Sequence, residues 1–157
     1  MDHLWSPWRY QYVSAAHPAS AGCIFCDKTI EDLIVFRGVH NFVVLNLFPY
    51  TSGHLMVVPY SHIATLEDTD LETLTELTHL TRQAEIHLRK IYKPAGLNIG
   101  MNIGAAAGAG VAGHIHMHVL PRWQGDVNFM TTIAETRVLP EDLKTTREKL
   151  SQAFNSE

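Results

Sequence analysis

Cysteine is nearly missing from this chain: Cys23 and Cys26 are the only two in 157 residues. Two thiols cannot make a disulfide framework, and a spacing of three reads as a metal or redox pair before a structural bridge. An excess of basic charge is missing as well. Twelve Lys and Arg face sixteen Asp and Glu, giving a net charge of −4 with histidines neutral. That argues against a nucleic-acid coating surface and a polybasic membrane patch, so neither partner is expected. A small anionic ligand needs only local donors and remains open. No apolar run approaches the roughly 20 residues of a membrane helix. Residues 1–12 show no apolar signal core and no small-residue cleavage site, so a cytoplasmic protein is the expectation.

What is present suits one domain over residues 1–157: 46% of residues are apolar and 18% charged. Residues 1–22 are turn-rich and hold Trp5 and Trp8, which reads as an arm packed on the body or on a partner subunit. Residues 33–36 and 42–47 read as a hairpin, and 54–58 as a third strand ending at Pro59. Residues 66–92 switch to helical period, with Leu71, Leu74, Leu77, Leu80, Ala84, Leu88 and Ile91 recurring every three or four positions. Asp68 and Asp70 suit its start, Arg89, Lys90 and Lys93 its end, and Pro94 stops it. Residues 97–103 read as a half-buried strand and 114–120 as another, ended by Pro121. A short helix from Pro140 to about Phe154 closes the chain. The fold class is α+β: an antiparallel sheet of about five strands, one long helix and a short C-terminal helix.

Residues 114–120 spell H-I-H-M-H-V-L. On a strand, His114, His116 and His118 share one face, while Ile115, Met117 and Val119 share the other. Same-face rings are then spaced by roughly 6.6 Å. A water-facing strand usually carries Thr, Ser or Lys, so three histidines at strict period two point to chemistry. A metal held by the three alone is the weaker option, because parallel side chains seldom converge on one ion. The preceding residues 104–113 are almost wholly Gly and Ala. Glycine lets backbone N–H groups approach an anion, so a loop feeding this strand reads as a phosphate cradle.

These residues resemble the histidine triad (HIT) family, whose motif is His-φ-His-φ-His-φ-φ. The likeness extends to Leu45-Asn46, His54-Leu55-Met56-Val57-Val58-Pro59 and His62, and to residues 98–102; it covers about 20–125, leaving 126–157 as a C-terminal extension. Leu4-Trp5-Ser6-Pro7-Trp8-Arg9, Pro121-Arg122-Trp123 and Gly125-Asp126-x-Asn128-Phe129 are similar to the bacterial branch of diadenosine tetraphosphate phosphorylases and ATP adenylyltransferases.

The resemblance implies roles for individual residues. His116 is the nucleophile, His118 contacts the phosphate and aids the leaving group, and His54 orients the triad. Asn46 meets the ribose hydroxyls. Asn102 holds a phosphate or leaving-group oxygen, with Asn98 as second choice. Backbone N–H groups of Gly110, Val111 and Ala112 bind the α-phosphate. Many members carry Gln, Ser or Thr in that loop; here residues 109–112 are Ala, Gly, Val and Ala, which leaves the task to the backbone. The resemblance also suggests His62 and His114 as the ligands that join Cys23 and Cys26 around a structural zinc, tying the N-terminal segment to the histidine strand. A homodimer is implied, with the long helix and one strand at its interface.

Chemistry supports the same expectation. Neutral imidazole is a good nucleophile near pH 7, and the bond it forms to phosphorus is reactive enough to pass the group on. The expected function is nucleotidyl transfer through a nucleotidyl-histidine, acting on an adenine nucleotide or dinucleoside polyphosphate, with phosphorolysis preferred. The alternatives are a phosphoramidase or hydrolase, a nucleotide-binding regulatory protein with weak catalysis, or a zinc hydrolase using the triad as ligands. His79 and His87 on the long helix read as surface or packing residues. Trp123 has a pocket, interface or core role.

Overall fold

The structure is a computed structural model that describes residues 22–126 and 139–156. The arm residues Trp5, Trp8 and Arg9, and Asn128 and Phe129, lie outside the described residues. After a 3-10 segment, Lys28–Leu33, come β1 (Ile34–Arg37), β2 (Asn41–Leu45) and β3 (Leu55–Pro59), then the long helix α1 (Leu71–Tyr92). Strand β4 (Gly96–Gly100), a 3-10 turn at Ala105–Ala107, β5 (Met117–Arg122) and helix α2 (Leu143–Phe154) follow. The sheet is antiparallel, in the order β1-β2-β3-β5-β4. It is the α+β fold that the periodicities predict.

Alternation along the central strands makes two apolar layers. Val43, Leu45, Leu55, Val57 and Val119 pack under Leu77, Leu80, Ala84 and Leu88 of α1 and Leu150 and Phe154 of α2. Phe42, Val44, Met56 and Val58 point the other way, onto Phe25, Ile30 and the loop residue Val111. Met56 pairs with His118 across the β3–β5 ladder, so the histidine face lies opposite the helices. Full burial of β2 and β3 on both faces explains their unbroken apolar runs.

Several boundaries differ from expectation, each for a local reason. The long helix starts at Leu71 rather than 66, because the Asp70 carboxylate accepts the Thr73 N–H at 2.8 Å and caps it there. Leu71 is consequently on the surface, 67% exposed, and not part of the core stripe. The helix ends in a left-handed Lys93 before Pro94. Asp142, not Pro140, caps the last helix.

Strand β4 ends at Gly100, and the histidine strand joins the ladder only at Met117. Opposite the missing turn of ladder stands Pro59, which has no N–H to give; its carbonyl faces His114 Nε2 at 2.9 Å instead. Pro121 does not stop β5. The pairing with β3 ends at Val119, so the missing N–H of Pro121 interrupts no β3 bond. His87 is buried, its ring 4.4 Å from that of Phe154.

The turn entering β3 depends on Gly53. Its φ is +81°, and a Cβ there would lie 3.0 Å from Leu88 Cδ2 and 3.2 Å from Tyr92 Cε2. Glycine therefore lets the turn close against α1 and deliver His54 to the start of β3. Glu76 of α1 secures the β1–β2 turn by accepting the N–H groups of Val39, His40 and Asn41, each at 2.7 Å.

Candidate functional site

His54, His116 and His118 meet on the sheet face away from the helices. His54 and His116 are buried, and the ring centroids of His116 and His118 are 4.8 Å apart. That is closer than ideal strand spacing predicts, because the two rings turn edge to face. His114 turns away from this pair, toward the cysteines. The triad therefore divides into two rings at one place and one at another.

Hydrogen bonds assign a tautomer to each ring. His54 Nδ1 accepts the Tyr50 N–H at 3.2 Å, so its Nε2 carries the proton and donates to His118 Nδ1 at 2.9 Å. His118 then bears its proton on Nε2. His116 Nδ1–H donates to its own chain at His114 O, 2.9 Å away, which leaves a lone pair on Nε2. Burial holds His114 and His116 below the usual histidine pKa. Burial first, and the neighbouring His116 second, push His118 down to about 4. At neutral pH the site is an array of uncharged imidazoles with a nucleophilic nitrogen beside a proton-bearing one.

The second cluster lies behind the first. One ligand atom from each of Cys23, Cys26, His62 and His114 falls within 4.8 Å of all the others. Cys23 Sγ is 3.3 Å from His114 Nδ1, and Cys26 Sγ is 3.4 Å from His62 Nδ1 and 3.6 Å from His114 Nδ1. A tetrahedral zinc site with these ligands has donor–donor edges of about 3.3–3.8 Å. The Pro59 carbonyl takes the Nε2–H of His114, so its Nδ1 lone pair faces the sulfurs, as a metal ligand requires. Burial, then the adjacent Cys23, raise the Cys26 thiol, a cost that a bound cation would offset. Two soft sulfurs with two imidazoles suit a four-coordinate cation, and the set joins the Cys loop, the residues after β3 and the start of the histidine strand.

The loop and the asparagines complete the surroundings. No backbone hydrogen bond engages the N–H of Gly110, Val111 or Ala112 among the described residues, while Val111 anchors the loop in the second apolar layer. Asn102 Nδ2 reaches Gly108 O at 3.5 Å, so this side chain meets the loop itself. Asn98 accepts from Arg122 Nη1 at 2.6 Å and is engaged away from the histidines. Asn46 Oδ1 accepts the Phe48 N–H at 3.0 Å, and its amide nitrogen lies 3.4 Å from His54 Nδ1.

Comparison with known proteins gives the family and the fold. The model of the HIT domain matches residues 27–125. The chain belongs to the HIT family. Among its HIT relatives, an AP-4-A phosphorylase of Mycobacterium tuberculosis is 41% identical over 96% of this chain and 83% of its own length. An asymmetrical bis(5'-nucleosyl)-tetraphosphatase of Schizosaccharomyces pombe is 30% identical over 65% of this chain and 56% of its own. A zinc-bound histidine triad protein from Mycobacterium smegmatis superposes with a TM-score of 0.69 at 28% identity, covering 86% of this chain and 94% of that one.

Two members of this HIT site escape sequence reasoning. Tyr50 supplies the N–H that sets the His54 tautomer, and its ring lies 4.9 Å from that of His54. Nothing in the turn signals a backbone donor. Phe25 packs its ring 5.0 Å from His116 and 5.4 Å from His114. Its position inside Cys-x-x-Cys was the available signal.

Proposed function

We propose that this HIT chain transfers a nucleotidyl group through His116, cleaving dinucleoside polyphosphates such as diadenosine tetraphosphate by phosphorolysis. The observation that carries the reading is the lock of His116 Nδ1 on the His114 carbonyl, which leaves the Nε2 lone pair beside the protonated Nε2 of His118. The AP-4-A phosphorylase of Mycobacterium tuberculosis, similar along nearly the whole chain, supports the substrate class and the preference for phosphate as acceptor.

In the first step the His116 Nε2 lone pair attacks the α-phosphorus. A phosphorus–nitrogen bond forms and the bridging phosphorus–oxygen bond breaks. His118 Nε2–H donates a hydrogen bond to the departing oxygen, which leaves as the polyphosphate anion with the bond's electron pair, and His54 steadies His118 through Nε2–H···Nδ1. In the second step an oxygen of inorganic phosphate attacks the same phosphorus, and the electron pair of the phosphorus–nitrogen bond returns to Nε2. Gly110, Val111 and Ala112 offer N–H groups to the phosphoryl oxygens, where fixed dipoles stabilise developing charge. Asn46 retains capacity for the ribose hydroxyls, and Asn102 acts by holding the loop or a phosphate oxygen. Cys23, Cys26, His62 and His114 would hold zinc as a structural ion, four protein ligands sufficing for it and tying the Cys loop to the histidine strand. A homodimer belongs to the same reading: β4 is an edge strand, with Ile99 exposed upon it.

Product analysis tests the reaction. Diadenosine tetraphosphate and inorganic phosphate should yield ADP and ATP, at a rate that depends on phosphate. AMP and ATP formed at the same rate with or without phosphate would make the protein a hydrolase, and no cleavage would remove the proposal.

The pH profile has a determined sign. Both rings must be neutral at the start, and their folded pKa values lie below the ordinary one of 6.5. Protonation therefore removes activity only as pH falls through those lowered values. kcat/KM should stay level from pH 8 down to about 6.5 and decline only in the acid range. An acid limb centred at or above the ordinary histidine pKa would contradict the desolvated site.

A further inference from the structure

We propose that Phe25 is a positioning residue for His116, holding its ring on the His114 carbonyl and carrying the order of the cysteine loop to that ring. The inference rests on the reading of His116 as nucleophile. Phe25 lies inside Cys23-Ile24-Phe25-Cys26, so the two cysteine sulfurs flank it.

Ile24 is exposed whereas Phe25 is buried, so the loop turns one apolar side chain inward. Cys26 and Asp27 donate their N–H groups to Cys23 O at 2.9 and 3.0 Å, which makes the loop a tight turn. The inward ring meets His116 at 5.0 Å with planes tilted by 49°, and His114 at 5.4 Å nearly edge-on. It belongs to the same apolar cluster as Ile30, Phe42, Val44, Met56 and Val58, a wall formed by β2, β3 and the 3-10 segment.

Among the described residues, His116 makes one hydrogen bond, through Nδ1. A single bond leaves a ring free to rock, and a flip by half a turn would carry the proton to the wrong side. Phe25 occupies the space such motion needs. With that space filled, the Nδ1–H tautomer is the sole form and the Nε2 lone pair keeps one direction. Because Cys23 and Cys26 bracket Phe25, holding both sulfurs on one cation also holds the wall.

The test uses zinc-loaded protein carrying Phe25→Ala or Phe25→Leu, the second retaining apolar bulk should the first fail to fold. Imidazole nitrogen-15 shifts report the tautomer of His116. The parent should show Nδ1–H alone, and both variants a mixture, with zinc content unchanged. kcat should fall by about tenfold to 100-fold in Phe25→Ala and by less in Phe25→Leu, at KM within about twofold. Parent protein stripped of metal should show the mixed tautomer too. A single tautomer and parental kcat in both folded variants overturns the proposal, as does a kcat loss that appears only with loss of zinc. Turnover surviving in His116→Ala would instead sink the nucleophile reading, whatever Phe25 does.

Discussion

His116→Ala should lower turnover of diadenosine tetraphosphate by at least about 10⁴-fold, with zinc content unchanged. Removing the imidazole removes the only group proposed to bond phosphorus, and the loop donors that remain give binding without a covalent route. Rapid quench of the parent with substrate, in the absence of phosphate, should show one AMP attached at residue 116 by peptide mass; the variant should show none. Alanine also leaves a void beside Phe25, and a cavity of that kind costs roughly 2–4 kcal/mol. Thermal unfolding of the variant must therefore accompany the rate, so that lost activity is read on folded protein. The same variant weighs the reading in which the triad holds zinc. That reading requires metal loss in His116→Ala and His118→Ala, whereas the cluster of Cys23, Cys26, His62 and His114 excludes both residues. Turnover within about tenfold of the parent in folded His116→Ala would end the covalent mechanism.

Cys23→Ser should abolish zinc binding and lower Tm by about 10 °C or more. Zinc bound by four protein groups contributes its binding energy to folding, because the unfolded chain has no assembled site. Three separate segments supply the donors: the Cys loop, His62 after β3 and His114 before β5. Without the ion the Ile115 N–H to Ile63 O bond still joins the last two, but the Cys loop keeps only weak sulfur–imidazole contacts and the packing of Phe25, and Phe25 and Ile30 lose the tie that keeps the second layer closed over Phe42 and Met56. A few kcal/mol in a domain of this size corresponds to a Tm shift of that order. Metal analysis and calorimetry of parent, chelator-treated parent and variant check the expectation together. Equal Tm values with and without metal would show that the cluster contributes nothing to folding.

Much of the fold was legible because periodicity follows burial. The long helix shows its 3.6-residue stripe over Leu77, Leu80, Ala84 and Leu88, and the structure buries those four. Leu71 carries the same pattern yet lies at the surface: the first turn, capped by Asp70, buries Thr73, whose carbonyl accepts from Asn41 Nδ2 at 3.0 Å, and leaves Leu71 facing outward. The ends of strands were less legible. Residues 114–116 alternate as a strand does, but ladder membership depends on what stands opposite, and there Pro59 has no proton to offer. The position of Asn98 was misleading for a similar reason: its engagement by Arg122 is a contact between strands, invisible in a one-dimensional pattern.

The sequence by itself determined the two-sided chemistry of this protein: a strand with histidines on one face and core on the other, a donor-rich loop of small residues before it, and a Cys-x-x-Cys far upstream. Those features are local, since side-chain alternation and glycine's freedom need no knowledge of neighbours. Only the tertiary structure decided which nitrogen of each imidazole bears the proton and that Phe25 stands against His116, and it brought Cys23, Cys26, His62 and His114 together as the family resemblance implied. The bonds that set His54 and His116 run to Tyr50 and His114, near in sequence but placed by the fold, whereas the His54–His118 bond, the sulfur cluster and the Phe25 contact join distant parts of the chain, because hydrogen bonding and packing act across space.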